Sequence, residues 1–105
     1  MTKYTKSSML PGKLEENMEI VGEQFRLARL RRNLTMDQVA ARAQCGRLSI
    51  SRLEKGEQTV SLSIVLRVLY ALQLEDDILL LAKDDALGRV IQDMQAKNKK
   101  RASRK

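Results

Sequence analysis

Along most of the chain, apolar residues recur three and four positions apart, which is the spacing of one face of an α-helix. The first predicted helix covers residues 15–32 and places Val21, Phe25 and Ala28 on its core face. A second apolar stripe on this helix is formed by Ile20, Leu27 and Leu30. Two interpretations of the stripe stay open: partial exposure of single apolar residues, which is common, or a contact surface for a tail or a partner.

Residues 34–56 predict two short helices joined by a tight turn. The first of them begins with Thr35 and Gln38, which have the three-residue spacing of a capping box. Its apolar positions and its closing turn are Val39, Ala40 and Ala43, then Gln44, Cys45 and Gly46.

The second short helix has a thin buried face and a cationic outer face. Ile50 and Leu53 lie three positions apart, and Gly56 ends the helix with Lys55 in its last turn, where a cation suits the helix dipole. The residues off the buried face are Arg47, Leu48, Ser51 and Arg52. Such a helix is suited to lie against an anionic partner.

Two further helices complete the predicted core. Ser61 is a suitable N-cap for a helix over residues 62–72, whose predicted core positions are Leu62, Val65, Leu66, Leu69 and Leu72. The acidic residues 75–77 begin a fifth helix through about Leu81, where each carboxylate stabilises the helix start by ~0.3–1 kcal/mol. This structural role is favoured over metal or acid–base chemistry because a second acidic cluster is missing. The apolar run 78–81 indicates a dimer interface.

The chain thus divides into an N-terminal arm (1–14), a compact domain (15–82) and a C-terminal tail (83–105). The polar arm is predicted to be mobile, with contact to DNA or to a partner as an alternative. In the tail, residues 85–97 predict a short helix, because the apolar positions have helical spacing: Leu87, Val90, Ile91 and Met94. A helix this short is marginal alone in water, so it needs a surface to fold on: the partner subunit, the second stripe of the first helix, or another protein. The last nine residues, 97–105, include six basic ones; we expect them to be disordered and close to DNA phosphates.

Composition agrees with a small binding module. A chain of 105 residues forms one core, and with 3% aromatic residues that core must be aliphatic. The net charge is +7, and residues 83–105 hold five of these excess charges. A basic balance of this kind favours nucleic acid or an anionic membrane surface as the partner.

Several classes of protein are disfavoured. The chain has no His, which argues against a metal site of the His/Cys kind and against a His-based catalytic triad. Cys45 cannot form an internal disulfide, and a packed thiol is favoured there over a redox sensor. The longest apolar run is far short of the ~20 residues that span a bilayer, and the N-terminus lacks a secretory apolar segment. We therefore expect a cytoplasmic protein that is not an enzyme and needs no cofactor.

The chain resembles the Cro and phage-repressor (XRE) type of helix-turn-helix DNA-binding protein over about residues 21–81. The resemblance rests on Leu34-Thr35, Val39-Ala40, the run from Ile50 to Gly56 and the apolar helix after Ser61. It implies an all-α, lambda-repressor-like domain of five helices that binds a palindromic double-stranded DNA operator as a homodimer. Met36, Gly46 and Leu48 depart from the usual polar residues of that family.

The resemblance also implies roles for individual residues. The base-facing positions are Arg47, Leu48 and Arg52, with Ser49 and Ser51 in support, and the phosphate contacts are Thr35, Gly46 and Lys55. An arginine can bond guanine O6 and N7 together, and a leucine can touch a thymine methyl group. Arg29 and Glu54 match a structural salt bridge between the first helix and the recognition helix.

A narrower resemblance is to HipB-type antitoxins, which accompany HipA-like kinase toxins and repress their own operon. It rests on chain size, on the second stripe of the first helix and on the segment around residues 85–89. It implies a toxin kinase as a further partner. Two alternatives stay open: a stand-alone transcriptional regulator, and an adaptor that uses the same fold to bridge proteins.

Overall fold

The structure, a computed structural model, describes residues 10–103 and is all-helical over that range. This confirms the predicted fold class. The elements are α1 (Gly12–Arg31), α2 (Met36–Ala43), α3 (Arg47–Glu54), α4 (Leu62–Ala71), a 3₁₀ helix (Glu75–Leu80) and α5 (Ala86–Ser103).

The core is aliphatic apart from Phe25, as the composition predicts. Its most deeply buried side chains are Val39, Ile50, Leu53 and Leu72, one or two from each of α2, α3 and the end of α4. Helix α2 packs on α3 and α4, α1 packs on α3, and the 3₁₀ helix packs on α4. Helix α3 also contacts α4, so it is held from three sides.

Helix α1 begins earlier than predicted, at Gly12 instead of residue 15. Pro11 is its N-cap, and the Pro11 carbonyl accepts from the amides of Leu14 and Glu15 at 2.9 and 3.0 Å. The Leu10 amide donates to Gln58 Oε1 at 3.0 Å, which ties the helix start to the loop after α3. The rest of the predicted arm, residues 1–9, lies outside the described residues.

The core face of α1 is also rotated relative to the prediction. Phe25 and Ala28 are buried as expected, but Val21 is 36% exposed, and Gly22 is buried in its place. The second stripe (Ile20, Leu27 and Leu30) is exposed.

Two of the core positions predicted for α4 are wrong. Leu62 and Leu66 are exposed, whereas Val68 and Ala71 are buried beside the expected Leu69 and Leu72. Since apolar residues surround almost the whole of this helix, its spacing alone cannot select the buried side.

The last two elements differ from prediction in type and length. The predicted fifth helix is a single stretch of 3₁₀ helix that ends at Leu80. The tail helix α5 begins after Asp85, whose Oδ1 accepts from the Gly88 amide at 3.0 Å, and continues to Ser103. The prediction of disorder is therefore wrong for residues 97–103, where Lys, Arg and Ala favour helix and basic side chains suit its C-terminal end. Residues 104–105 lie outside the described residues.

Candidate nucleic-acid interface

The start of α2 is fixed by a capping box, as predicted. Gln38 donates its amide N–H to Thr35 Oγ1 at 3.1 Å, and the Thr35 amide donates to Gln38 Oε1 at 2.8 Å. Both side chains are exposed. Thr35 therefore combines a structural role with a hydroxyl that faces solvent beside the first turn of α2.

The turn between α2 and α3 is built by three residues with different roles. Gln44 adopts the left-handed conformation with φ 54°, and the Cys45 amide donates to the Ala40 carbonyl at 3.1 Å. Gly46 is the N-cap of α3 in an ordinary extended conformation, and a Cβ there would meet no atom within 4 Å. The fold therefore does not require glycine at position 46, and a residue without a side chain leaves the start of α3 uncovered.

Cys45 lies in this turn and packs against the core, partly buried. Burial raises the pKa of its thiol, and the charge of Arg67 opposes this rise. A raised pKa keeps the thiol protonated and weakly nucleophilic at neutral pH, because the thiolate is the reactive form. The packed-thiol interpretation fits this environment.

Helix α3 separates buried and exposed side chains sharply. Ile50 and Leu53 are 0% and 1% exposed and anchor its underside, as predicted. Arg47, Leu48 and Arg52 project to solvent, with 61% of Leu48 exposed. An exposed leucine flanked by arginines contributes little to this fold and is available to a ligand.

The remaining predicted contact residues lie around these three. Ser51 shares the outward sector of α3 with Arg47 because it is four positions further on. Ser49 is half-buried and lies next to the buried face, because Leu53 is four positions further on. Lys55 is exposed at the C-cap. All the predicted positions therefore gather on α3 and its caps, except Thr35 at the start of α2.

A buried ion pair fixes α3 to α1, as the resemblance implied. Arg29 Nε donates to Glu54 Oε2 at 2.7 Å and Arg29 Nη2 donates to Glu54 Oε1 at 2.9 Å. Arg29 Nη1 also donates to the Leu34 carbonyl at 3.0 Å. The side chains are 11% and 5% exposed, and the hydrogen bond to Glu54 raises the pKa of Arg29 against the opposing effect of burial.

A close backbone crossing reinforces this ion pair, and the pattern of the sequence did not predict it. A Cβ added to Gly22 would lie 2.6 Å from the Glu54 carbonyl oxygen and 2.7 Å from that of Leu53. Gly56, with φ 74°, approaches the Glu19 backbone in the same way. The available signal was a glycine inside an otherwise regular helical pattern, which often marks a packing constraint.

Both outward arginines have an acidic neighbour. Arg47 Nη1 lies 3.7 Å from Asp37 Oδ2, and Arg52 Nε lies 3.5 Å from Glu57 Oε2. These pairs are about half or more exposed, so they contribute little to stability. They do place two carboxylates beside the candidate contact surface, where they repel phosphates and leave the guanidinium groups free to exchange partners.

Residues 20–81, more than half of the 105, match the family model described as a helix-turn-helix domain. The chain belongs to the helix-turn-helix domain family. The matched span runs from α1 to the end of the 3₁₀ helix, so the helix-turn-helix domain contains every candidate contact residue and both anchors of α3. No curated protein matches the chain significantly.

The helix-turn-helix domain is a DNA-binding fold typical of regulators that are not enzymes. The first helix of such a motif crosses the DNA backbone while the second lies in the major groove. In this chain those helices are α2 and α3. Within residues 10–103, no helix is both long enough and apolar enough to span a bilayer.

Proposed function

We propose that this protein is a sequence-specific transcriptional repressor that binds a palindromic operator as a homodimer, with α3 of each protomer in the major groove. The observation that carries the proposal is the division of α3 into a buried underside and an exposed face of Arg47, Leu48 and Arg52. The two arginines read guanine edges, and Leu48 contacts a thymine methyl group. Ser49 and Ser51 support them.

Phosphate contacts set the register of α3. They are assigned to the Thr35 hydroxyl, the Gly46 amide and the Lys55 ammonium, which lie at the ends of α2 and α3. Such contacts carry no sequence information, but they fix how deeply a recognition helix enters the groove. Because Gly46 lacks a hydroxyl, its contact depends on the backbone and on the positive end of the α3 dipole.

The homodimer is part of the same proposal, and two observations support it. One helix-turn-helix domain reads one half-site, and two half-sites about one turn of DNA apart require two-fold symmetry in the protein. Leu79, Leu80 and Leu81 are each more than 60% exposed at the end of the domain. These leucines supply the apolar surface that association removes from water.

Selection of bound duplexes from a random library tests the proposal. We expect enrichment of one sequence with inverted half-sites about 10–10.5 base pairs apart. Arg47→Ala and Arg52→Ala should each lose ~1–3 kcal/mol of binding on the selected duplex and much less on random DNA.

The matched control is Arg26→Ala, which removes an exposed arginine of α1 outside the candidate surface. It should lower both affinities only slightly. Equal losses on selected and random duplex for Arg47→Ala would make Arg47 a phosphate contact, and failure to enrich any sequence would remove the repressor proposal.

A finer proposal assigns the repressor to a toxin–antitoxin operon, as the antitoxin of a HipA-like kinase. Its support is the resemblance to HipB-type antitoxins together with the exposed stripe of Ile20, Leu27 and Leu30, which suits a protein partner. Co-expression with a kinase-like gene next to this one tests it. A stable complex that Leu27→Asp abolishes supports the proposal, and a neighbouring kinase that does not bind contradicts it. Without such a partner, the protein is a stand-alone regulator.

A further inference from the structure

Helix α5 presents an apolar face that is uncovered in the single chain. Leu87, Val90, Ile91 and Met94 form this face, and each is about half or more exposed. In the described part of the chain, α5 has no substantial packing contact with another helix. The chain measures 67 Å along its longest axis, and its radius of gyration of 19.4 Å exceeds the ~13 Å of a compact domain of this size. Helix α5 therefore projects from the domain.

The domain in turn carries an open apolar groove between α1, α4 and the 3₁₀ helix. Its volume is about 440 Å³, and its walls include Val21 and Phe25 of α1, Val65 and Leu69 of α4, and Ile78. The groove explains why Val21 is exposed although it borders the core. None of the outward residues of α3 lines the groove, and the one α3 residue that does is the buried Leu53.

The face of α5 has the spacing of a helix that docks in a groove. Its four residues stand at positions i, i+3, i+4 and i+7, the anchor pattern of helix-in-groove recognition. A coiled coil between two α5 helices is disfavoured because the next seam positions are Lys97 and Arg101, so the apolar seam lasts about one heptad where three or four are needed.

Charge is complementary between the helix and the groove. Helix α5 contains five basic residues and one acidic residue, Asp93. Asp77 lines the groove, and Glu75 and Asp76 precede it on the 3₁₀ helix. A basic helix therefore meets an acidic edge, which favours the encounter and fixes its orientation.

We infer that α5 of each protomer docks in the α1–α4 groove of a second copy, so that the homodimer exchanges its C-terminal helices. This inference rests on the homodimer of the proposed function but not on its DNA recognition. The second copy is the occupant because, within one chain, α5 makes no substantial packing contact with α1, α4 or the 3₁₀ helix, which form the groove. Asp85 caps α5 through the Gly88 amide at 3.0 Å, and Arg89 Nη2 donates to the Lys83 carbonyl at 3.2 Å, so the first turn of α5 is tied to the connection that precedes it.

Two substitutions on adjacent residues of the full chain test the docking. Ile91→Asp places a carboxylate on the apolar face, whereas Gln92→Asp places it on the opposite, polar side of the same helix. Both positions are exposed, so the domain should fold in both variants, as circular dichroism can check. Sedimentation should show that Ile91→Asp raises the dimer dissociation constant about tenfold or more and that Gln92→Asp leaves it nearly unchanged. A dimer unaffected by Ile91→Asp, or a wild-type chain that is monomeric, overturns the inference.

Cross-linking identifies the occupant. In a Cys45→Ala background, which removes the single native cysteine, one chain carries Gln24→Cys at the groove and an isotope-labelled chain carries Met94→Cys on α5. A short bismaleimide should join the two kinds of chain, and mass spectrometry should identify the mixed peptide. The double variant controls for folding back within one chain.

Each other result overturns the inference. A link formed only within the double variant shows that α5 covers its own groove. A link between two Met94→Cys chains shows that the α5 helices pair with each other. The absence of any cross-link shows that α5 does not dock in the groove. Because this assay contains no DNA, a failed cross-link does not affect the test of DNA recognition by operator selection. If cross-linking succeeds but operator selection fails, only the repressor proposal is removed.

Discussion

Removing the charge of Glu54 gives the most direct test of how the recognition helix is held. In the wild type, Arg29 donates two hydrogen bonds to the Glu54 carboxylate, at 2.7 and 2.9 Å. In Glu54→Gln, Arg29 stays almost buried but loses the negative charge of its partner and one of these two bonds. Breaking a buried pair costs ~3–5 kcal/mol, and a hydrogen bond to a charged group contributes ~1.5–3 kcal/mol. Because glutamine keeps one acceptor oxygen, we expect Glu54→Gln to lower the free energy of unfolding by about 2–3 kcal/mol. For a domain of this size, that lowers Tm by roughly 10–20 °C.

Urea unfolding followed by circular dichroism measures this loss. The matched control is Glu23→Gln, since Glu23 pairs with Arg26 at 3.0 Å while both side chains are about half exposed. An exposed pair contributes ~0–1 kcal/mol, so the control should stay close to the wild type. If Glu54→Gln costs no more than Glu23→Gln, the buried pair does not anchor α3, and apolar packing alone must hold the helix.

Three further changes probe the surface and the packing. Truncation after Gln95 removes the basic end of α5. If this end contacts DNA, the slope of log affinity against log salt concentration should flatten by about 0.9 for each phosphate that it neutralises. An unchanged slope would show that the basic end of α5 does not contact DNA. Gly22→Ala should destabilise the domain by ~1–3 kcal/mol or more because its Cβ meets backbone at 2.6 Å, whereas Gly12→Ala, with open space, should be neutral or stabilising in the same melts. Asp37→Asn and Glu57→Gln should each strengthen binding to random duplex at low salt, because each removes a negative charge beside the contact surface; equal or weaker binding in a titration would contradict that role.

Local chemistry made much of this domain predictable. The capping box of Thr35 and Gln38 is a short-range signal, and it forms as the sequence indicated. Ile50 and Leu53 are buried because few other apolar residues on α3 compete for the core. The Arg29–Glu54 pair, in contrast, spans 25 positions and was accessible only through family resemblance.

Features that depend on how helices cross could not be predicted in this way. Gly22 is buried because the backbone of α3 crosses α1 there, and the periodicity within α1 does not distinguish Gly22 from Val21. In α4, a nearly continuous apolar sequence leaves the buried side to be chosen by its neighbours, which selects Val68 and not Leu66. The roles of the outward residues at DNA depend on a ligand that neither sequence nor fold contains.

The division of α3 into two faces has a consequence for how such a protein can change over generations. The side chains that hold the helix in place are Ile50, Leu53 and Glu54, and they differ from the ones that face outward. Exposed substitutions of Arg47 or Leu48 alter stability by only about ±0.5 kcal/mol. If α3 reads an operator as proposed, new operators can be acquired one residue at a time without an intermediate that fails to fold, and duplicated copies of this gene can diverge in target while they keep the same architecture.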